Sequence, residues 1–196
     1  MTARHDLVVV GAGLVGLATA RAWQRAGRGS VVVVEAEDRV AAHQSGHNSG
    51  VLHAGLYYRP GSEKARLCGR GRAALEAFCT AHGVRWQRTG KLVVATDASQ
   101  VPALDELERR GRANGIDGIE RLGPEGLRAH EPEVRGVEGL WVPVTGIVDF
   151  AGVAAALRAE IERAGGDVRL HSKVSAVRDD GGELVVVAGD SEVRAR

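Results

Sequence analysis

Residues 7–35 read LVVVGAGLVGLATARAWQRAGRGSVVVVE, and this stretch decides the fold. Leu7–Val10 is a short apolar run suited to a buried strand of a parallel sheet. It feeds Gly11-Ala12-Gly13-Leu14-Val15-Gly16, a G-x-G-x-x-G match, and the pattern predicts a helix from there to about Ala26. Gly27 can close that helix in a left-handed conformation. Ser30–Val34 reads as a second apolar strand, with Glu35 at its end.

Each part of this βαβ unit has a physical job. Gly11 permits a tight turn, Gly13 lets the backbone approach a pyrophosphate, and Gly16 lets the helix pack close to the strand. The helix N-terminus offers unpaired N–H groups and a partial positive charge to that pyrophosphate. Glu35 can accept hydrogen bonds from the two hydroxyls of an adenosine ribose, and its charge repels a 2′-phosphate, which disfavours NADP. Strand, glycines, helix and acid in this order predict dinucleotide binding. A secretory leader is the competing reading, because Arg4 precedes the apolar run and Ala18-Thr19-Ala20 resembles a cleavage site. The fingerprint spacing of the glycines, Asp6 before the run and the matching second strand all count against it.

The charge balance is even, with 26 Lys and Arg against 25 Asp and Glu in 196 residues. Arginines are scattered among acids rather than gathered into a basic stripe, so nucleic acid is not an expected partner. No long apolar run predicts a membrane span, while peripheral membrane contact stays open. Cys68 and Cys79 fall on one predicted helix, where about 1.5 Å of rise per residue puts them roughly 16 Å apart, beyond disulfide reach. Both read as small apolar side chains in a reducing cytoplasm. No His, Cys and carboxylate group has metal-ligand spacing, so no metal is expected.

Working outward from Glu35, the next informative window is Ser45–Cys68, SGHNSGVLHAGLYYRPGSEKARLC. It concentrates His47, Asn48, Ser49, His53 and the triplet Tyr57-Tyr58-Arg59 in a segment too short for a core of its own, the pattern of a ligand-contacting loop. Ser62 is a predicted N-cap for a helix running through Ala81 and closed by His82-Gly83. Val84–Ala95 reads as strand with a turn at Thr89-Gly90-Lys91, Ser99–Asn114 as a charged amphipathic helix, and Leu122–Pro132 as a short helix with loops. Gly139–Val144 is a further strand, and Phe150–Ala164 a helix ended by Gly165-Gly166. Val168–Leu170, Val174–Val177 and Leu184–Ala188 are strands, with a hairpin turn at Asp179–Gly182. Val168–Leu170 is expected to join the first sheet, parallel to Ser30–Val34.

The chain resembles the N-terminal half of an FAD-dependent oxidoreductase of the D-amino acid oxidase superfamily. Within that superfamily Ser45–Cys68 closely resembles the L-2-hydroxyglutarate oxidase/dehydrogenase family, and Pro143–Phe150, PVTGIVDF, also fits it. The resemblance implies an α/β fold, a Rossmann-like FAD-binding domain interleaved with part of a mixed-sheet substrate domain. The expected divisions are 1–83 and 145–196 for the FAD-binding domain and 84–144 for the substrate domain. It further implies bound FAD and oxidation of L-2-hydroxyglutarate to 2-oxoglutarate, with electrons passed to oxygen or a quinone. Glycerol 3-phosphate or an amino acid is the alternative substrate within the superfamily.

Oxidising a 2-hydroxy acid needs a base at the hydroxyl, donors for the carboxylates, and reacting atoms held about 3–3.5 Å apart. By the resemblance, His53 stands near the substrate as base or carboxylate ligand, and Tyr57, Tyr58 and Arg59 shape its pocket. Ser45, Gly46, His47, Asn48 and Ser49 contact the cofactor, with Val174 added to Gly11, Gly13, Gly16 and Glu35. By the resemblance His43, His47 or His53 could tether the flavin, while His53 could instead be a structural histidine and His47 a loop residue. Family members run to about twice this length, so a closing strand, the rest of the substrate domain and a glycine-rich loop are expected elsewhere, in a complementary C-terminal chain or lost. A non-catalytic dinucleotide-binding fragment is therefore the second reading. The expected location is cytoplasmic, with contact to the inner face of a membrane left open.

Overall fold

The computed structural model describes residues 4–195. In chain order the elements are β1 (Arg4–His5), β2 (Leu7–Val10), α1 (Leu14–Arg25), β3 (Val31–Val34), β4 (Val51–Leu52), α2 (Glu63–His82), β5 (Trp86–Arg88) and β6 (Leu92–Ala95). A 3₁₀ turn at Ala98–Gln100 leads into α3 (Val101–Ala113), followed by β7 (Glu120–Leu122), α4 (Pro124–His130), β8 (Glu138–Trp141) and β9 (Gly146–Val148). The last elements are α5 (Phe150–Arg163), β10 (Asp167–Arg169), β11 (Val174–Asp180), β12 (Glu183–Ala188) and β13 (Ser191–Ala195). These elements fall into two compact units: residues through Ser49 with those from Asp149 onward, and Gly50–Val148 between them.

In the first unit a parallel sheet has the order β10-β3-β2. β10 lies beside β3 with Asp167 opposite Val32 and Arg169 opposite Val34, the parallel strand expected from the sequence. The four valines of β3 are all buried, as a central strand covered on both faces requires. Val32 and Val34 pack with Val186, Ala188 and Val193 from the antiparallel meander β11-β12-β13. Alternation turns Val31 and Val33 to the other face, where α1 and α5 pack on one another. Arg21 Nε donates to Glu160 Oε2 at 2.6 Å, and Gln24 Nε2 donates to the Ile161 carbonyl at 3.2 Å. β11 and β12 are the strand pair expected near the end of the chain. The structure adds β13, which also runs parallel to β1, with His5 opposite Ala195.

The second unit holds two three-stranded antiparallel sheets, β4-β9-β5 and β6-β8-β7. Leu56, Leu104, Ile116, Ile119, Leu140 and Val142 make its core. Val84–Ala95 is divided between the two sheets rather than folding back on itself. At the break the Thr89 and Gly90 amides both donate to the Thr145 carbonyl, and Gly90 takes a left-handed φ of +71°. A side chain there would run into the Trp141 ring. The units also divide at Ser49/Gly50 and Val148/Asp149, not at the 83/84 and 144/145 expected from sequence. The cause is the short strand β9, unread in the sequence, which takes β4 on one edge and β5 on the other. It draws the His53 segment and α2 into the second unit.

Candidate functional site

The first unit presents a phosphate cradle at the C-terminal end of β2. Gly11 turns the chain with φ +98°, a left-handed value that strains any other residue, and its amide donates to the Val34 carbonyl at 2.8 Å. Gly13, in extended conformation, precedes the first turn of α1. A β-carbon on Gly16 would collide with the Gly11 carbonyl oxygen, so this glycine is what lets helix and turn touch. The Leu14, Val15 and Gly16 amides have no acceptor within the helix. Ser45 Oγ accepts the Leu14 N–H at 3.0 Å and lies where a Gly13 β-carbon would come within 3.0 Å of it. Ser45 therefore stands at the positive end of α1, its hydroxyl hydrogen still free to donate to an anion.

Glu35 is buried and already bonded to the chain. Its Oε2 accepts the Ala12 N–H at 2.6 Å and its Oε1 the Glu37 N–H at 3.0 Å. Backbone donors hold the carboxylate rigidly beside the glycine turn, and each oxygen keeps a lone pair for a ribose hydroxyl. The Arg169–Ser172 segment, which continues from the expected strand Val168–Leu170, stitches this corner. The Glu35 amide donates to the Arg169 carbonyl at 2.8 Å, Ser172 to Glu35 at 2.7 Å, and His171 to Glu37 at 2.9 Å. Val174 follows, with its side chain half-buried against the cluster of Val32 and Val34.

The remaining cofactor candidates form one turn. The Ala41 amide donates to the Ala12 carbonyl at 3.0 Å, which fixes the turn to the cradle. The Gly46 and His47 amides donate to the His43 carbonyl at 2.9 and 3.0 Å. His47 Nδ1 lies 3.0 Å from the same oxygen, leaving Nε2 for an outside partner. Asn48 Nδ2 donates to the Gln44 and Ser45 carbonyls at 3.1 and 2.9 Å. Gly46, His47, Asn48 and Ser49 are exposed.

In the second unit His53 is exposed and lines a shallow recess with Gly55, Tyr57, Lys91, Val142 and Thr145. Its carbonyl accepts the Cys68 S–H at 3.3 Å. Burial pushes the Cys68 thiol pKa up, with Arg72 opposing, so the thiol stays protonated and acts as a structural donor. Cys79 is fully buried. Tyr57 takes a hydrogen bond on its hydroxyl from Lys91 Nζ at 2.6 Å. Tyr58 is half-buried and Arg59 exposed, and neither side chain lines the recess. The backbone of the loop is held from α3: Asn114 Nδ2 donates to the Tyr58 and Gly55 carbonyls at 2.9 and 3.2 Å. Ser62 caps α2 as read from sequence, its Oγ accepting the Ala65 N–H at 3.3 Å. Lys91 and Asn114 went unread, since each meets the loop only after the chain has folded back. No group of three or more His, Cys, Asp or Glu among the described residues is placed to hold a metal ion.

A parallel βαβ unit with this glycine turn, exposed helix N-terminus and fixed carboxylate defines a dinucleotide-binding protein. Residues 6–196 match the FAD dependent oxidoreductase (DAO) family, and the chain belongs to it. Human L-2-hydroxyglutarate dehydrogenase, mitochondrial, is 41% identical over 177 residues, which are 90% of this chain and 38% of that protein. L-2-hydroxyglutarate dehydrogenase of Salmonella houtenae is 37% identical over 183 residues, 93% of this chain and 43% of that one. Among solved structures, FAD-bound L-alpha-glycerophosphate oxidase of Mycoplasma pneumoniae superposes with a TM-score of 0.88 at 25% identity, covering 96% of this chain and 50% of that one. The chain thus spans about two fifths of the length of the curated relatives it matches. Its cofactor is FAD, and the cradle fits: Gly11–Gly16 and the α1 N-terminus suit the pyrophosphate, Glu35 the ribose.

Proposed function

We propose that this chain supplies the FAD-binding part and a portion of the substrate-binding part of an enzyme that oxidises L-2-hydroxyglutarate to 2-oxoglutarate. The observation that carries the reading is the extent of the likeness: the match to L-2-hydroxyglutarate dehydrogenases, about 40% identical overall, covers 90% of this chain and so reaches both compact units. FAD, when bound, would supply the two-electron acceptor for this oxidation, with oxygen or a quinone as the final acceptor. The chain's own residues bind and orient. Gly11, Gly13, Gly16, Glu35 and Ser45 hold the dinucleotide end, and the turn Gly46–Ser49 offers His47 Nε2 and exposed polar groups toward the rest of the cofactor. His53 takes the proton from the substrate hydroxyl, a role suited to an exposed imidazole fixed through its backbone. Tyr57 lies in the same recess, with Tyr58 and Arg59 carrying the loop around it.

Completion of the catalytic unit requires a further segment, in the same or a complementary polypeptide. Supporting this, β2 is paired only with β3 among the described residues, Val10 is 61% exposed, and Val15 on α1 is 82% exposed. A parallel sheet normally buries such an edge. The test is anaerobic addition of substrates to the purified, FAD-loaded protein. L-2-hydroxyglutarate should bleach the visible flavin band. Bleaching by glycerol 3-phosphate or an amino acid instead would move the enzyme elsewhere in the family. Flavin retained but bleached by none of them would favour a non-catalytic dinucleotide-binding fragment.

A further inference from the structure

The recess beside His53 contains a cation, Lys91. Lys91 sits at the end of the Gly90 turn, and its backbone is clamped to β8's outgoing strand: the Lys91 amide donates to the Val142 carbonyl at 3.2 Å, and the Val142 amide returns a bond at 2.9 Å. Its position is therefore set by a sheet ladder rather than by a mobile loop. The Lys91 ammonium donates to the Tyr57 hydroxyl at 2.6 Å and lies 4.5 Å from the centre of that ring. Among the described residues no carboxylate pairs with Lys91. Other cations of the chain do pair with acids, as Arg121 does with Asp105, Glu108 and Glu138.

The donor count points to a missing acceptor. An ammonium has three hydrogens, and one goes to Tyr57. The Tyr57 hydroxyl, having accepted from Lys91, still has its own hydrogen to give. A carboxylate placed against both would accept a charge-assisted bond from Lys91 and a second bond from Tyr57, in a recess that partly excludes water. We propose that Lys91 and the Tyr57 hydroxyl form the subsite that takes a carboxylate of the substrate, beside His53. The proposal rests on the reading above that the substrate is a 2-hydroxy dicarboxylate. It makes Lys91 a binding residue, with Tyr57 orienting it.

The experiment is calorimetric titration of the FAD-loaded full chain with glutarate, a dicarboxylate without the reacting hydroxyl, and with the neutral glutaramide. Wild type should bind glutarate and not glutaramide. Lys91→Met should weaken glutarate binding at least tenfold, Lys91→Arg should restore much of it, and Tyr57→Phe should weaken it several-fold. In unaltered protein, glutarate should slow acetylation of Lys91 by acetic anhydride but not that of Lys64 or Lys173, the other two lysines. That readout stands even if the Lys91 variants fold poorly. Unchanged affinity in Lys91→Met, equal binding of glutaramide, no glutarate binding, or no selective protection of Lys91 would each overturn the subsite. Flavin bleaching separates the two proposals. Bleaching by L-2-hydroxyglutarate with Lys91-independent binding keeps the substrate reading and removes the subsite. Lys91-dependent binding without bleaching does the reverse.

Discussion

The two units build their sites in opposite ways. In the first, the groups proposed to hold the cofactor lie at the ends of β2, α1 and β3 and are fixed largely by backbone hydrogen bonds, including those from Arg169–Ser172. In the second, His53 and Tyr57 lie on an irregular loop whose shape is imposed from afar, by Asn114 on Gly55 and Tyr58, and by Lys91 on Tyr57. A cradle made by strand ends is difficult to alter without unfolding the unit. A loop held by a few side chains can change what it presents while the core of Leu56, Leu104 and Leu140 stays intact.

The contrast can be broken by substitution, beginning where the effect is largest. Gly16→Val places a side chain against the Gly11 carbonyl. It should destabilise the first unit by about 3 kcal/mol and abolish flavin retention, read by urea unfolding and by absorbance of the purified protein. Glu35→Ala removes the acceptor for the Ala12 and Glu37 amides. A loss of about 2–3 kcal/mol is expected, again with loss of flavin. Asn114→Ala leaves the Tyr58 carbonyl unpaired and takes one of two bonds from the Gly55 carbonyl, which keeps the Tyr58 amide, and should cost about 1–2 kcal/mol. Here flavin retention should persist while substrate bleaching slows, and equal loss of both would erase the distinction between units.

The smallest effect concerns an exposed charge cluster on α3. Arg109 and then Arg110, bonded to Glu106, lower its pKa from 4.5 to about 2. The folded value is the lower one, so this contribution is present above pH 4.5 and fades as pH falls toward 2. Glu106→Gln should flatten stability against pH slightly in that window, lowering neutral-pH stability by the same small amount while leaving flavin content unchanged. A large loss at neutral pH, or an unflattened profile, would contradict this weight for the exposed pair.

The same contrast decides what could be read before the structure. The cradle was legible because its signals are local: apolar runs, glycine spacing, and an acid closing the second strand. Even there, Ser45 reaching Leu14 across 31 residues had no sequence mark. The meander's last strand left a readable signal that went unread. Glu192 and Arg194 alternate with buried Val193 and Ala195, and Arg194 pairs with Asp180 at 3.0 Å. β9, only three residues long, lacks enough periodicity to be seen, and missing it displaced both unit boundaries. Lys91 and Tyr57 lie 34 residues apart, and Asn114 and Tyr58 56 apart. Such pairings arise from packing, and one sequence does not display them.

The most direct measurement is titration of the flavin-free chain with FAD, followed by flavin fluorescence, in wild type, Glu35→Ala and Asn114→Ala. The account predicts saturable binding at one FAD per chain, weakened at least tenfold by Glu35→Ala and unchanged by Asn114→Ala. Equal affinity in wild type and Glu35→Ala, or no saturable binding by wild type, would contradict the assignment of the cofactor to the Gly11–Glu35 cradle.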